Sequence, residues 1–250
     1  QAITYFGYLS VQPTYARKLL YCNLVSALLS AGAWSTADAL QIWAAADQAT
    51  ANTPLIGPAP TNHSALFIAD HGYQGNATSL FVDTGFKPSA GVNYTLNSGT
   101  IAAYIIDSRT TICSSNACSL IGTYSGTGTY SYLFPLFSAG PTTYWIVNAA
   151  TPGSTTTATQ AQGMWAASRT SASSQILYQN GTQVASSSAA SSALSTQNFY
   201  ALALNNNGAA ADFGNDTVGM FGVWSGLTPT QISAVYAAFH TYMQAVAGIP

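Results

Sequence analysis

The sequence of 250 residues contains no glutamate, and charged side chains make up only 5% of it. An average globular domain has about 25% charged residues. The five cations are scattered without a basic cluster, and the net charge is −2. Duplex nucleic acid and anionic membranes are bound through clustered lysine and arginine, so we expect neither as a partner. No run of about 18 apolar residues is present, so we expect no membrane insertion.

The missing glutamate also bears on catalysis. Retaining glycosidases need two carboxyl groups about 5 Å apart, and no two aspartates stand at i and i+2. One aspartate pair at i and i+4, Asp212 and Asp216, falls in a predicted loop. The motifs HExxH, CxxC and GxSxG are absent as well, and an EF-hand requires a glutamate. The sequence therefore predicts no catalytic residues, no enzymatic activity and no zinc site.

Cysteine is scarce, with three residues in the chain. Cys113 and Cys118 flank four residues and are candidates for a disulfide that closes a short loop. Because closing so short a loop gives little entropic stabilisation, a pair of reduced thiols is an equally good alternative. Cys22 falls on the apolar face of a predicted helix, where a free thiol behaves as a small hydrophobic side chain.

Apolar residues are plentiful, at 48% of the chain, and aromatic residues reach 12%. This content argues against disorder, because apolar burial can offset the loss of chain entropy. With so few charges, the surface must consist of serine, threonine, asparagine, glutamine, glycine and tyrosine. A chain of this length and composition can fold as one large all-β domain.

Helix signals lie at both ends of the chain. Pro13 and Thr14 open a predicted helix that runs to about Ser30. The sequence Ser35-Thr36-Ala37-Asp38 resembles a capping box and predicts a second helix from Thr36 to about Ala49. Thr228 as N-cap and Pro229 at the first position predict a last helix. Its apolar stripe consists of Ile232, Val235, Tyr236, Phe239, Met243 and Val246.

Short runs rich in β-branched and aromatic residues fill the region between these helices. Asn180–Gly181 joins two of the runs and supplies the positive φ angles of a tight hairpin. Strands are predicted near 65–69, 79–86, 99–107, 119–124, 130–137, 142–149, 163–169, 174–179, 182–186, 198–204 and 218–225. Their spacing and turn residues favour an antiparallel β-sandwich. The predicted organisation is a helical pair over 1–50, a connector over 51–64, and the sandwich with its terminal helix over 65–250.

Three segments together resemble a known family. They read MWAASRTSASSQILYQNGTQVASS, NFYALALNNNG and VGMFGVWSGLTPTQISAVYAAFHTYM, beginning at Met164, Asn198 and Val218. The order of these segments and their amino-acid sequences resemble those of phage-encoded virion proteins that contain a concanavalin A-like (laminin G-like) sandwich. The helical segment LVSALLSAGAWSTADAL and the segment ADHGYQGNATSLFVDTGF also resemble that family. The resemblance implies a mainly β, jelly-roll fold of this type, with two N-terminal helices and one C-terminal helix.

Ligand-binding candidates lie in two loops. Laminin G-like sandwiches often hold Ca²⁺ at their rim, so the resemblance makes Ca²⁺ the one cofactor to consider. Asparagine and aspartate oxygens would suit that ion or a sugar, although the same residues are ordinary turn formers. The candidates are Asn206, Asn207, Asp212, Asn215 and Asp216, together with Tyr124 and Tyr130 from a glycine-rich loop over 123–132. The tyrosines offer ring faces on which sugars stack.

The function implied by the resemblance is that of a non-enzymatic virion structural protein, a tail, fibre or capsid-surface subunit that contacts host surface glycans. Its expected partners are other virion subunits or further copies of itself, with a trimer as one oligomeric state, and its expected location is the virion surface. A secreted lectin-like carbohydrate-binding protein is the alternative. A divergent polysaccharide hydrolase ranks third, because no source for its acid–base pair is evident.

Overall fold

The structure, a computed structural model, describes residues 2–107, 118–126, 129–137, 142–151 and 160–250. Its described helices are α1 (Ala2–Phe6), α2 (Tyr15–Ser30), α3 (Gln48–Ala51) and α4 (Pro229–Ala247). The strands form two sheets of eight strands each. The predicted β-sandwich fold class is confirmed, with long helices near both ends of the chain.

The first sheet combines strands from both ends of the chain with strands from the middle. It contains β1 (Ala37–Ile42), β3 (Leu66–Ile68), β4 (Gly72–Gln74), β6 (Gly99–Ile105), β10 (Gly163–Ser171), β11 (Ser174–Gln179), β12 (Thr182–Ser187) and β16 (Thr217–Trp224). Its order is β12-β11-β10-β6-β16-β4-β3, and β1 pairs with β16. All of these pairings are antiparallel.

The second sheet consists mainly of shorter strands. It contains β2 (Thr61–His63), β5 (Phe81–Asp83), β7 (Ile121–Tyr124), β8 (Tyr130–Phe137), β9 (Thr142–Ala149), β13 (Tyr200–Ala201), β14 (Leu204–Asn206) and β15 (Ala209–Ala211). Its order is β15-β14-β7-β13-β5-β2, with β8 pairing with β7 and β9. The strand β14 runs parallel to β7, and the other pairings of this sheet are antiparallel.

The molecule has three layers, because both faces of the first sheet are buried. In β6, Ala102 and Tyr104 face the layer of α2 and α4, whereas Ile101 and Ala103 face the second sheet. The helical layer adds Leu24 and Leu28 of α2 and Ile232, Val235, Phe239 and Met243 of α4 to the first core. A strand buried on both faces is mostly apolar, as the fully buried β6 shows, and its buried Thr100 hydroxyl is hydrogen-bonded to the Ser168 hydroxyl.

The predicted helix from Thr36 to about Ala49 is wrong. Ala37–Ile42 is a strand that pairs with β16, and a four-residue helix, α3, follows it. The side chain of Asp38 does not cap a helix; its carboxylate accepts hydrogen bonds from the backbone N–H groups of Val92, Asn93 and Tyr94. Trp43, which falls within the helix predicted from Thr36 to about Ala49, lies in the inter-sheet core. Long-range pairing with β16 outweighs the local helix signal.

The turn and cap predictions agree with the structure. Asn180 and Gly181 both have positive φ and connect β11 to β12. The helix α4 begins after Thr228 with a complete capping box, in which Gln231 takes part, and ends at the left-handed Gly248. These predictions are confirmed because turns and caps depend only on residues that are neighbours in the sequence.

The buried Arg169 of β10 joins several segments through backbone carbonyls. Its guanidinium donates to the carbonyl oxygens of Val147, Ser171, Ala172 and Ala189. No carboxylate among the described residues forms a salt bridge with it. Burial lowers the pKa of the guanidinium, but arginine stays charged at all physiological pH values.

Candidate functional site

The outer face of the second sheet is rich in aromatic side chains. Residues of β8 alternate between its two faces: Leu133 enters the inter-sheet core, whereas Tyr132 and Phe134 point outward. With Ile146, Ala149 and Leu204 they form a separate buried cluster. Partly buried rings of Tyr124, Tyr130, Phe137 and Tyr144 surround it. The helix layer lies on the opposite side of the molecule, so this face is the place to look for a binding surface.

Four of the predicted site residues come together here, and we call Tyr124, Tyr130, Asn206 and Asn207 the tyrosine patch. The rings of Tyr124 and Tyr130 are nearly parallel, with centroids 4.4 Å apart and an interplanar angle of 10°. Both rings are half-buried, and burial together with the neighbouring Tyr124 raises the pKa of Tyr130. The Tyr130 phenol is therefore neutral at physiological pH and serves as a hydrogen-bonding group.

Backbone hydrogen bonds between strands place Asn206 and Asn207 next to Tyr124. Asn206 lies opposite Tyr124 in the parallel ladder of β14 and β7, and the backbone N–H of Asn207 donates to the Tyr124 carbonyl oxygen at 2.8 Å. Both asparagine side chains are exposed. Asn205 is buried and holds the turn: its amide donates to the Asn198 carbonyl oxygen and accepts from the Gly208 N–H. Two amides are thus presented beside two rings on a fixed hairpin.

Asp212 borders the same face. Burial raises the pKa of its carboxyl group. The pKa of the Tyr132 phenol is raised chiefly by burial, and the charge of Asp212 makes a smaller contribution in the same direction. Its backbone oxygen accepts from the Ser119 N–H at 3.0 Å, and its φ of 51° is left-handed. The carboxyl group therefore lies on the aromatic face in a less polar environment than water.

Asp216 does not belong to the patch. It is fully buried at the start of the segment leading into β16, and its backbone oxygen accepts from the Gly75 N–H. Its side chain has no exposed surface and is not available to a sugar at the tyrosine patch, so the assignment of Asp216 as a ligand-binding residue stays a prediction. Asn215 is exposed, and no described contact joins it to the tyrosine patch.

The cysteine prediction is only partly within the described residues. Cys118 is fully buried, whereas Cys113 lies outside the described ranges, so their pairing stays a prediction. Cys22 is a free thiol, partly buried against the core of α2 and α4.

A second aromatic group on the same sheet was missed by the sequence analysis. His63 of β2, Phe81 of β5 and Tyr200 of β13 form a row across adjacent strands, which we call the edge ladder. Asp83 and Asn198 lie beside it, joined by a hydrogen bond of 3.0 Å. No local motif marks these residues, because only the pairing of strands far apart in sequence brings them together.

Most described aspartates already have structural roles. Asp70 pairs with Arg17 of α2, Asp47 caps α3 through the N–H of Thr50, and Asp107 accepts from the N–H of Thr217. No group of three or more metal-ligating side chains lies together within the described ranges. No helix in the described part of the chain is long and apolar enough to cross a membrane.

No protein-family model matches the chain, and no curated protein matches its sequence. Solved structures resemble it in fold. Trypanosoma rangeli sialidase matches with a TM-score of 0.58 at 10% identity, covering 92% of this chain and 40% of the sialidase. The botulinum neurotoxin serotype D binding domain matches with a TM-score of 0.57 at 12% identity, covering 85% of this chain and 53% of that domain.

Domain 4 of AbnA, an extracellular GH43 arabinanase from Geobacillus stearothermophilus, was solved in complex with arabinotriose. It matches with a TM-score of 0.51 at 12% identity, covering 80% of this chain and 98% of that domain. The chain spans about half the length of the neurotoxin domain and less of the sialidase. At such low identities the likeness defines the fold alone: the chain is a β-sandwich domain of the type these proteins contain.

Proposed function

We propose that this β-sandwich is a non-enzymatic carbohydrate-binding module, with the tyrosine patch as its main binding site. The observation that supports this most strongly is the combination of two parallel rings with two exposed amides on a fixed hairpin. Sugars present an apolar C–H face and a rim of hydroxyl groups. Aromatic rings match the first, and asparagine amides, which both donate and accept hydrogen bonds, match the second.

The fold comparisons support the same class of ligand. One structural neighbour was solved with arabinotriose bound, and it matches most of this chain over nearly all of its own length. At 12% identity no binding residue is transferred from it. The argument for this chain therefore rests on its own aromatic face.

A binding role without catalysis fits the distribution of carboxyl groups. Four aspartates already have structural partners. Asp38 holds the loop at Tyr94, and Asp47 caps α3. Asp70 pairs with Arg17 of α2, and Asp107 accepts from the N–H of Thr217 at the start of β16. Glycoside hydrolysis needs a free acid–base pair on either side of the scissile bond. Release of reducing sugar from arabinan, laminarin or cellulose oligomers would overturn this part of the proposal.

We place the module on the surface of a virion, because of the resemblance of the segments that begin at Met164, Asn198 and Val218 to phage virion proteins. A weakly charged, hydroxyl-rich surface suits subunits packed side by side. Light scattering on purified protein tests the self-association: a trimer supports a fibre or spike subunit. A monomer encoded without neighbouring virion genes favours the alternative, a secreted lectin-like protein.

The binding role itself is tested with Tyr124→Ala and a matched control, Tyr236→Ala. Tyr236 is a partly exposed tyrosine of α4 that stacks on His240 at 5.1 Å, on the opposite side of the molecule. In affinity electrophoresis through gels containing arabinan, laminarin or mixed-linkage β-glucan, we expect wild type and Tyr236→Ala to be retarded equally and Tyr124→Ala to migrate freely. Equal migration of all three proteins with and without polysaccharide would overturn the proposal.

A further inference from the structure

The edge ladder is an aromatic row built by strand pairing. His63 lies opposite Phe81 in the β2–β5 ladder, and the two rings are parallel within 7° at 4.2 Å. Phe81 contacts Tyr200 of β13 at 4.6 Å. Val82, between Phe81 and Asp83, is fully buried in the inter-sheet core, so both of its neighbours project from the outer face.

The ladder ends at an open edge. The strand β2 is the last strand of the second sheet in its order, so no other strand of the described residues covers the side of His63 opposite Phe81. The His63 side chain is exposed, whereas Phe81 and Tyr200 are half-buried behind it. The outermost ring of the row therefore offers a face to solvent, and Thr61, two residues away on the same strand, offers an exposed hydroxyl group.

Polar groups that could fix a sugar flank the ladder. Asp83 lies between Thr61 and Tyr200 in the strand register. One of its oxygens accepts from the Gly85 N–H at 2.8 Å, and both accept from the Asn198 amide, which orients the pair. No described group donates to the Asn198 side-chain oxygen.

Asn198 also lines an adjoining cavity of about 400 Å³. The cavity is walled further by Asp38, Pro58, Gly85, Phe86 and Lys87, among others. This volume is at the low end for ligand pockets, which run from about 300 to 1,000 Å³, and suits one sugar ring.

The local charge selects the kind of sugar. Asp38 and Lys87 line the cavity, and Asp83 is hydrogen-bonded to Asn198 beside it, so two carboxylates and one cation lie near this site. A carboxylated sugar would meet a net negative surface there and would be disfavoured by like-charge repulsion. A neutral sugar meets no such cost and can donate its hydroxyl hydrogens to the Asp83 carboxylate.

We propose that the edge ladder, with Asp83 and Asn198, is a second carbohydrate subsite that binds a neutral sugar ring by stacking on His63. This inference rests on the proposed carbohydrate binding and adds a site that is separate from the tyrosine patch. The two lie on different strands of one sheet, β7, β8 and β14 for the patch and β2, β5 and β13 for the ladder. A glycan with several sugar units could engage both.

The test uses His63→Ala, with His71→Ala as the matched control. His71 is another accessible histidine, in the turn between β3 and β4 of the first sheet, where its ring is hydrogen-bonded to Ala69. Tyr130→Ala reports on the tyrosine patch. Each variant of the full chain is titrated by calorimetry with arabinotriose, cellotriose, laminaritriose, maltotriose and trigalacturonic acid, after its melting curve has shown that it is folded at the titration temperature.

We expect at least one neutral trisaccharide to bind wild type and His71→Ala equally, and to bind His63→Ala about 3- to 10-fold more weakly, as loss of one aromatic contact implies. Unchanged affinity in His63→Ala with loss in Tyr130→Ala would overturn the second subsite and leave the proposed function standing. Binding of trigalacturonic acid in preference to the neutral sugars, lost in His63→Ala, would overturn the neutral class. Absence of binding to wild type by every trisaccharide would overturn both proposals together.

Discussion

The outer faces of the two sheets differ in how far other parts of the chain cover them. On the first sheet, side chains such as Tyr104 and Met220 are fully covered by α2 and α4. On the second sheet, the outer face keeps half-buried rings and exposed amides, among them Tyr124, Tyr130 and Asn206. The covered side stabilises the fold, and the open side has the chemistry for a ligand. Substitutions on the two sides should therefore separate stability from binding.

The largest effect is expected on the covered side. Phe239 of α4 is fully buried in the core between the helices and the first sheet. Phe239→Ala leaves a cavity and should lower the free energy of unfolding by about 3–5 kcal/mol, measured by urea denaturation. Its glycan affinity, measured where the variant is still folded, should equal that of wild type. A large loss of affinity in folded Phe239→Ala would break the division between the two sides.

A slightly smaller loss is expected inside the sandwich. Arg169→Met removes the donors that hold the carbonyl oxygens of Val147, Ala172 and Ala189. Losing these charge-assisted hydrogen bonds, and with them the donor to the buried Val147 carbonyl oxygen, should cost about 2–4 kcal/mol in urea denaturation. Arg169→Lys keeps the charge but has no planar fork of donors, so we expect it to be destabilised as well. If Arg169→Lys were as stable as wild type, the positive charge and not the planar set of guanidinium donors would account for the stabilisation.

Tyr130 on the open side should show the reverse pattern. Its ring is half-buried and stacks on Tyr124, so Tyr130→Ala should cost only about 1 kcal/mol of stability while weakening glycan binding several-fold. Calorimetric titration and urea denaturation on the same sample measure both effects. A loss of stability as large as that of Phe239→Ala would mean that the open face is a structural core.

The smallest effect is a pH-dependent one at Asp212. Burial raises the pKa of this carboxyl group in the folded state, so its charged form costs stability. That cost is absent below the unfolded pKa of about 3.9 and grows as pH rises through the folded pKa. Asp212→Asn should therefore melt at most about 2–4 °C above wild type at pH 7.

This gain should disappear at low pH. Asparagine tolerates the left-handed φ of position 212 equally well at every pH, so that preference cannot produce a pH-dependent difference. A difference in melting temperature that stays constant between pH 3 and pH 7 would contradict the assignment to the carboxyl charge.

The fold class could be predicted because the sequence signals for strands, turns and helix caps are local. Strands at 130–137, 142–149 and 174–179 have the predicted bounds, and so do the Asn180–Gly181 turn and the start of α4. Each depends on alternation, on a turn dipeptide or on a capping residue, all read from neighbouring positions. The helix predicted over 36–49 was wrong because its fate depends on β16, far away along the chain.

The candidate site divides in the same way. Tyr124, Tyr130, Asn206 and Asn207 were predicted, since a glycine-rich loop and an asparagine run are visible in sequence, and β14 then pairs with β7. The edge ladder could not be predicted. His63, Phe81 and Tyr200 lie on three strands, and their contact requires a strand register that no single segment specifies.

The most direct test of the account is an amide NMR titration of the labelled protein with a bound neutral trisaccharide. We expect chemical-shift changes to concentrate in β2, β5, β7, β13 and residues 204–212, on the outer face of the second sheet. Changes concentrated in α2 and α4, around Leu20 and Ala234 in the groove between these helices, would contradict it.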